Sequence, residues 1–173
     1  VMRIAQREAS EFLSNLSSKI ADICVNRDPD MAIRYSKKAL DLRGDNLTAA
    51  DIATVNILGI SLRKQGKWRE AISEYLRVLA VAPDNAGLLY NVALAYSEGR
   101  DTAKALSMVK KALAIDPDLP DSGKNVAFNI GTIFQKAGQS GPAYFKKAYE
   151  HDPNDTMLWN AYKRSQSLHE GQG

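Results

Sequence analysis

Apolar and polar positions recur at helical spacing twice between Ile52 and Pro83. Val55, Leu58 and Leu62 fall on one face with Gly59 beside them. After Gln65-Gly66-Lys67, a second face carries Ala71, Ile72, Tyr75, Val78 and Leu79. The pattern predicts two helices joined at a glycine turn and closed by proline, each too long for a common strand. The unit then returns, with Pro83 and Pro117 34 residues apart. Leu89, Val92, Ala93 and Tyr96 precede Ala105 and Val109. Ala127, Ile130, Gly131 and Phe134 precede Phe145, Ala148 and Pro153. A fixed period of this length marks units that cannot hide their apolar faces alone and so must stack. Gly59, Ala93 and Gly131, with Ala71 and Ala105 facing them, are expected where the helices of a pair cross, because close approach needs small side chains.

These phased positions, from about Leu13 to Pro153, resemble the tetratricopeptide repeat family, whose 34-residue pattern runs aromatic, Leu-Gly, Tyr, Ala, Phe, Pro. The resemblance implies an all-α fold, a right-handed superhelical solenoid of antiparallel helix pairs. Residues 1–173 form one domain in this reading, with repeats at 13–46 (degenerate), 47–85, 86–119 and 120–153 and a capping helix at 154–169. In the first repeat Lys19 stands where the family has leucine, and Gly44, in the run Ala39 to Asp45, stands where it has proline.

Local signals fill in the joints. Asp28-Pro29 supplies a cap and a first-turn proline for a helix holding Ala32, Tyr35, Ser36, Ala39 and Leu40. Thr48 and Asp51 form a near capping box that starts the next helix early. Pro120 and Asp121-Ser122-Gly123 mark a turn and cap, and Pro142 delays and shortens the last second helix. Asp155 or Thr156 caps the closing helix, with Met157, Leu158, Ala161, Tyr162 and Leu168 facing inward and 167–173 fraying. At the other end, Phe12, Leu13, Leu16, Ile20, Ile23 and Cys24 form the apolar stripe of the first helix, with Cys24 a small core residue.

Composition narrows the function. The net charge of +3 is too mild to demand an anionic partner, and the single cysteine suits a reducing cytosol, so a cytoplasmic setting is expected. No run is long and apolar enough for a membrane span. The chain opens on Val1, which suggests a cloning scar or a fragment of a longer protein. The only histidines, His151 and His169, make no metal spacing, and no glycine-rich phosphate loop occurs. Acidic turns such as Asp116-Pro117-Asp118 are helix caps and turn formers. The sequence therefore predicts no catalytic residues, no metal and no cofactor.

Binding is the better-supported role. The resemblance implies that the first helices of successive pairs line a concave groove. Helix faces then place Asn56, Ile60, Arg63 and Lys64 there from one repeat, and Tyr90, Asn91, Leu94 and Glu98 from the next. The last repeat adds Asn125, Phe128, Asn129, Thr132, Gln135 and Lys136. Asparagines both donate to and accept from peptide backbone, apolar and aromatic residues give anchorage, and the cations suit a carboxylate. Core packing is the competing role for Tyr90 and Phe128, and scaffold bonding for the asparagines. The family's chaperone-tail clamp is matched only at Asn91; the other matching sites hold Ser17, Ala21, Ile57 and Gly87. The expected function is a non-catalytic scaffold that binds a protein or peptide in its groove, as part of a larger signalling or assembly protein. Two rivals remain. One is self-association through the degenerate first helix. The other is electrostatic docking through Lys37-Lys38, Lys110-Lys111 and Lys146-Lys147, which recur at one place in three second helices. No aromatic interleaving supports specific nucleic-acid binding.

Overall fold

The computed structural model describes residues 2–44 and 47–170, without the side chains of Met2, Arg3, His169 and Glu170. Asp45 and residues 171–173 lie outside the described residues, and of the stretch 167–173 expected to fray, 167–170 instead continue the last helix. Among the described residues every regular element is helical: α1 (Met2–Cys24), α2 (Pro29–Arg43), α3 (Ile52–Lys64), α4 (Trp68–Leu79), α5 (Ala86–Glu98), α6 (Thr102–Ile115), α7 (Lys124–Lys136), α8 (Pro142–His151) and α9 (Thr156–Glu170), with short 3-10 turns before α3 and α7. Odd and even helices pair, and each pair packs on the next, with α9 closing the stack against α8. The fold is an all-α solenoid.

The joints follow their local chemistry. Asp28 accepts from the Met31 amide at 3.0 Å, with Pro29 opening α2. Thr48 and Asp51 form the reciprocal box, with the Thr48 amide donating to Asp51 Oδ2 at 2.9 Å and the Ala50 amide to Thr48 Oγ1 at 3.2 Å. That box sits on a 3-10 turn that runs straight into α3. Asp155 is the cap of α9, accepting from the Met157 amide at 2.9 Å. Pro142 opens a ten-residue α8.

The apolar positions of the repeats are core. Val55, Leu58, Leu62, Tyr75, Val92 and Val109 are buried, and they form clusters that bridge successive pairs. At the crossing, the space a Cβ on Gly59 would take is filled by the Tyr75 ring. A Cβ on Gly131 meets the Phe145 ring at 3.1 Å. In the intervening repeat the same places hold Ala93 and Val109, both buried in one cluster. An absent side chain accommodates an aromatic ring, and a methyl accommodates a valine.

Both ends depart from the sequence reading. In α1 the large apolar residues face out: Phe12 is 67%, Leu16 44% and Ile23 67% exposed, and Cys24 is only half-buried. The helix docks instead through Ser14, Ser17 and Ala21, against an α2 that buries Ala32, Ser36 and Ala39. Ser14 Oγ donates to the Ala39 carbonyl at 3.0 Å, and Ser18 Oγ meets Thr54 Oγ1 at 2.8 Å. In α9 the inward residues are Leu158 and Ser165, with Ala161 and Tyr162 half-buried. Met157 points outward, and Leu168, though largely exposed, edges a small cavity beside Gln135 and Gly138.

The helix-to-helix turns use a left-handed residue, Gly66 at φ +73° and Gly138 at φ +68°. Arg100, one repeat after Gly66, holds φ +61° without being glycine. The glycine has moved one place back: a Cβ on Gly99 would lie 2.7 Å from the Trp68 ring.

Three stability outcomes follow from these contacts. Gly59→Ala should cost roughly 1–3 kcal/mol or more by overpacking, and Gly59→Ala/Tyr75→Val, which copies the Ala93/Val109 arrangement, should cost less than the two single changes added together in denaturant titrations. Arg100→Gly should gain roughly 1 kcal/mol, read as a rise in Tm of about 2–4 °C, because a non-glycine residue in the left-handed region is strained. Tyr75 is fully buried and its hydroxyl has no hydrogen-bond partner among the described residues. Burial pushes its pKa up from 10.0 to about 12, against the opposing pull of nearby Arg63. The folded-state value is the higher one, so its contribution is complete below pH 10 and is lost as pH rises through about 12. Tyr75→Phe should therefore hold or gain about 1 kcal/mol at neutral pH and resist alkaline unfolding better than the wild type.

Candidate binding groove

The sequence places a ligand face on the first helices, and the structure brings the corresponding residues of α3, α5 and α7 into contact one repeat apart. Asn91 Nδ2 donates to Asn56 Oδ1 at 3.0 Å, linking α5 to α3. Asn129 Nδ2 donates to the Tyr90 hydroxyl at 3.0 Å, linking α7 to α5. Arg63 grips Glu98 through Nε, at 3.0 Å to both carboxylate oxygens, and through a terminal nitrogen at 2.6 Å to Oε1. Lys136 reaches Ser97 at 3.5 Å. Lys64 turns back to the end of α1, donating to the Val25 carbonyl at 2.9 Å and to Asn26 at 3.0 Å. A polar ladder thus runs across the repeats.

The environment of each predicted residue differs. Asn56, Ile60, Asn91, Leu94 and Asn129 are half-buried, and Asn125, Gln135 and Lys136 are exposed. Tyr90 is buried, and burial raises its pKa against the bond from Asn129 and the field of Arg63. Phe128 sets its ring edge-on to Phe145 at 5.6 Å, so part of it belongs to the α7–α8 packing. Thr132 spends its hydroxyl on the Phe128 carbonyl at 2.9 Å. Burial disfavours the charged form of Arg63, yet the Glu98 contacts outweigh it and raise the pKa. The expected acid-binding cations are therefore committed within the protein at Arg63 and Lys64. The sequence offered a sign of this that the face reading did not use: Arg63 and Glu98 lie 35 residues apart, close to one repeat, as do Asn56 and Asn91. The contribution of Ser97 and Asn26 carried no comparable signal.

Elsewhere on the surface, the lysine ridge is partly neutralised. Lys37 pairs with Glu70 at 3.7 Å, Lys146 with Glu150 at 3.5 Å, and Lys147 with Asp121 at 2.6 Å. Lys110 lies 5.9 Å from the Phe134 ring centroid. A cavity of about 220 Å³ at the far end is lined by Gln135, Gly138, Gln139, Ser140, Gly141, Ser165 and Leu168. No cluster of His, Cys, Asp and Glu among the described residues could hold a metal, and no described helix is long and apolar enough to cross a membrane.

A tetratricopeptide repeat family profile matches residues 58–120, the segment holding most of α3 and all of α4 to α6. The chain has a tetratricopeptide-like repeat architecture. Its curated relatives include the photosystem I assembly protein Ycf3 of Cyanophora paradoxa, 28% identical over 86 residues, which are 48% of this chain and 50% of that protein. The Ycf3 protein of Synechococcus elongatus matches to the same extent. The array thus spans about half the length of the curated relatives it matches. Among solved structures, MamA from Desulfovibrio magneticus superposes with a TM-score of 0.66 at 18% identity, over 91% of this chain and 92% of that one. PilF of Pseudomonas aeruginosa gives 0.68 at 16% identity, over 95% and 78%. The first repeat domain of Spaghetti (RPAP3), bound to an HSP90 peptide, gives 0.60 at 21% identity, over 72% and 99%. The solved structures share the array's fold.

The Arg63–Glu98 contact should behave as an inter-repeat strut. A double-mutant cycle with Arg63→Ala and Glu98→Ala should give a coupling of about 1 kcal/mol, discounted for the partly exposed carboxylate and shrinking as salt is added.

Proposed function

We propose that the array, as one domain of four repeats and a cap, holds an extended, largely neutral segment of a partner protein along the first-helix face. The observation that carries this reading is the asparagine ladder. Asn91 and Asn129 each spend an amide hydrogen on the neighbouring repeat, while their Oδ1 atoms accept no bond among the described residues. The bonds hold both amides in orientation, and the remaining acceptors and donors, a repeat apart, suit the backbone of an extended peptide. Ile60 on α3 and Leu94 on α5, both half-buried, supply apolar contact. Arg63 and Lys64 are engaged, which leaves Lys136 as the more open cation and disfavours a strongly acidic ligand. The fold shared with the RPAP3 domain supports use of this face for a peptide, but only Asn91 of the clamp positions is in place, so a chaperone tail is not the ligand. The single cysteine, left free, favours a cytoplasmic setting within a larger signalling or assembly protein.

Capture from lysate of the source organism, with wild type against Asn91→Ala/Asn129→Ala, tests this. A partner held by the wild type and weakened at least about tenfold in the double mutant, at unchanged helicity, is the expected result. Equal retention by both would remove the ladder from the binding face.

A further inference from the structure

The outward face of α1 carries a pattern that the rest of the array does not use. Ala5, Ala9, Phe12, Leu16, Lys19 and Ile23 are separated by four, three, four, three and four residues, which is the heptad spacing of a helix seam. All six are exposed. At 100° per residue this seam lies roughly 150° round the helix from Ser14, Ser17 and Ala21, which dock α1 on the body. It therefore points away from the array, with nothing of the described chain against it. A contiguous apolar strip of this kind, on the order of several hundred Å², marks an interaction surface.

We propose that the occupant is α1 of a second copy, lying antiparallel in a two-fold dimer. The seam is complementary to itself in that direction. With Phe12 level with the partner's Leu16, Ala5 falls level with the partner's Ile23 and Ala9 with the partner's Lys19. Small residues thus meet long ones toward both ends, while Phe12 and Leu16 pack together at the centre. Lys19, an obstacle in a leucine position of a repeat, has a role here: its stem covers Ala9 while its ammonium reaches Glu8, one residue along. The two-fold axis makes this ion pair twice. A parallel, in-register pair would set Lys19 level with Lys19 and forfeit both. The isologous arrangement closes on itself and leaves the first-helix face of α3, α5 and α7 open. One helix pair sits at the low end of the ~1,200–2,000 Å² of specific interfaces, so the dissociation constant should lie in the micromolar range.

Sedimentation velocity of the full chain over a concentration series tests the proposal. Mass should rise from the 19.0 kDa monomer to twice that value. Phe12→Glu/Leu16→Glu should stay monomeric throughout with unchanged far-UV circular dichroism, since neither side chain packs on the body. Lys19→Glu and Glu8→Lys should each weaken the dimer by about threefold to tenfold, and the double reversal should restore it. A chain that is monomeric at every concentration would overturn the proposal. So would a dimer indifferent to Phe12→Glu/Leu16→Glu. A dimer lost in that variant but not rescued by the double reversal would overturn the antiparallel register.

Discussion

The contact on which this array depends is the crossing inside each helix pair, where one side chain must be missing for another to fit. At Gly59 the missing Cβ makes room for the Tyr75 ring, and at Gly131 for Phe145. Ala93 with Val109 solves the same problem with less volume on one side and more on the other. Packing at near-crystalline density leaves little tolerance in such a seam, so the sum of the two residues is constrained while each member is free to vary. The spacing between the helices of a pair then sets where the next pair can stack. Positions far from the seam, including the groove, inherit that geometry.

The first pair takes a third solution, and it explains the unusual end of the array. Ser36 stands where the other repeats have Tyr75, Val109 and Phe145, and it faces an α1 whose docking residues are Ser14, Ser17 and Ala21. A serine and alanine seam brings two helices together without any large residue from either side. Phe12, Leu16 and Ile23 have no place in that contact, so they are left on the opposite face. The exposed seam of Phe12, Leu16 and Ile23 is in this sense the counterpart of the small one that anchors the helix.

Most of the fold was legible because helical periodicity, glycine turns and proline stops all agree between Ile52 and Pro153. Caps at Asp28, Thr48 and Asp155 were legible for the same reason, since each is a local contest for a few amide hydrogens. The ends were not. An apolar stripe normally identifies the buried face of a helix, and in α1 this inference fails because burial is set by small polar residues bonded to backbone and hydroxyl partners. In α9 the stripe was read too broadly: Met157 is exposed, and Leu168 only edges a small cavity. Periodicity shows which residues share a face. It does not show which of two faces the rest of the chain will cover.

The groove shows the same limit in polar terms. Helix geometry put Arg63, Asn91 and Asn129 on one face together with Glu98, Asn56 and Tyr90, yet it did not show that they bond to one another across the repeats. Once the ladder of inter-repeat bonds is in place, the charge on this face is largely answered from within: Arg63 by Glu98, Lys64 by the end of α1. Removing such a cation from its partner to hold a ligand's carboxylate would replace one charge-assisted contact by another, with little net gain. Amides behave differently. Each asparagine holds a donor for its neighbour and keeps an acceptor free, so a ligand backbone can add bonds without breaking any. On the proposed reading such a groove would select for an extended main chain with modest side-chain charge, because the residues proposed to bind it also tie one repeat to the next.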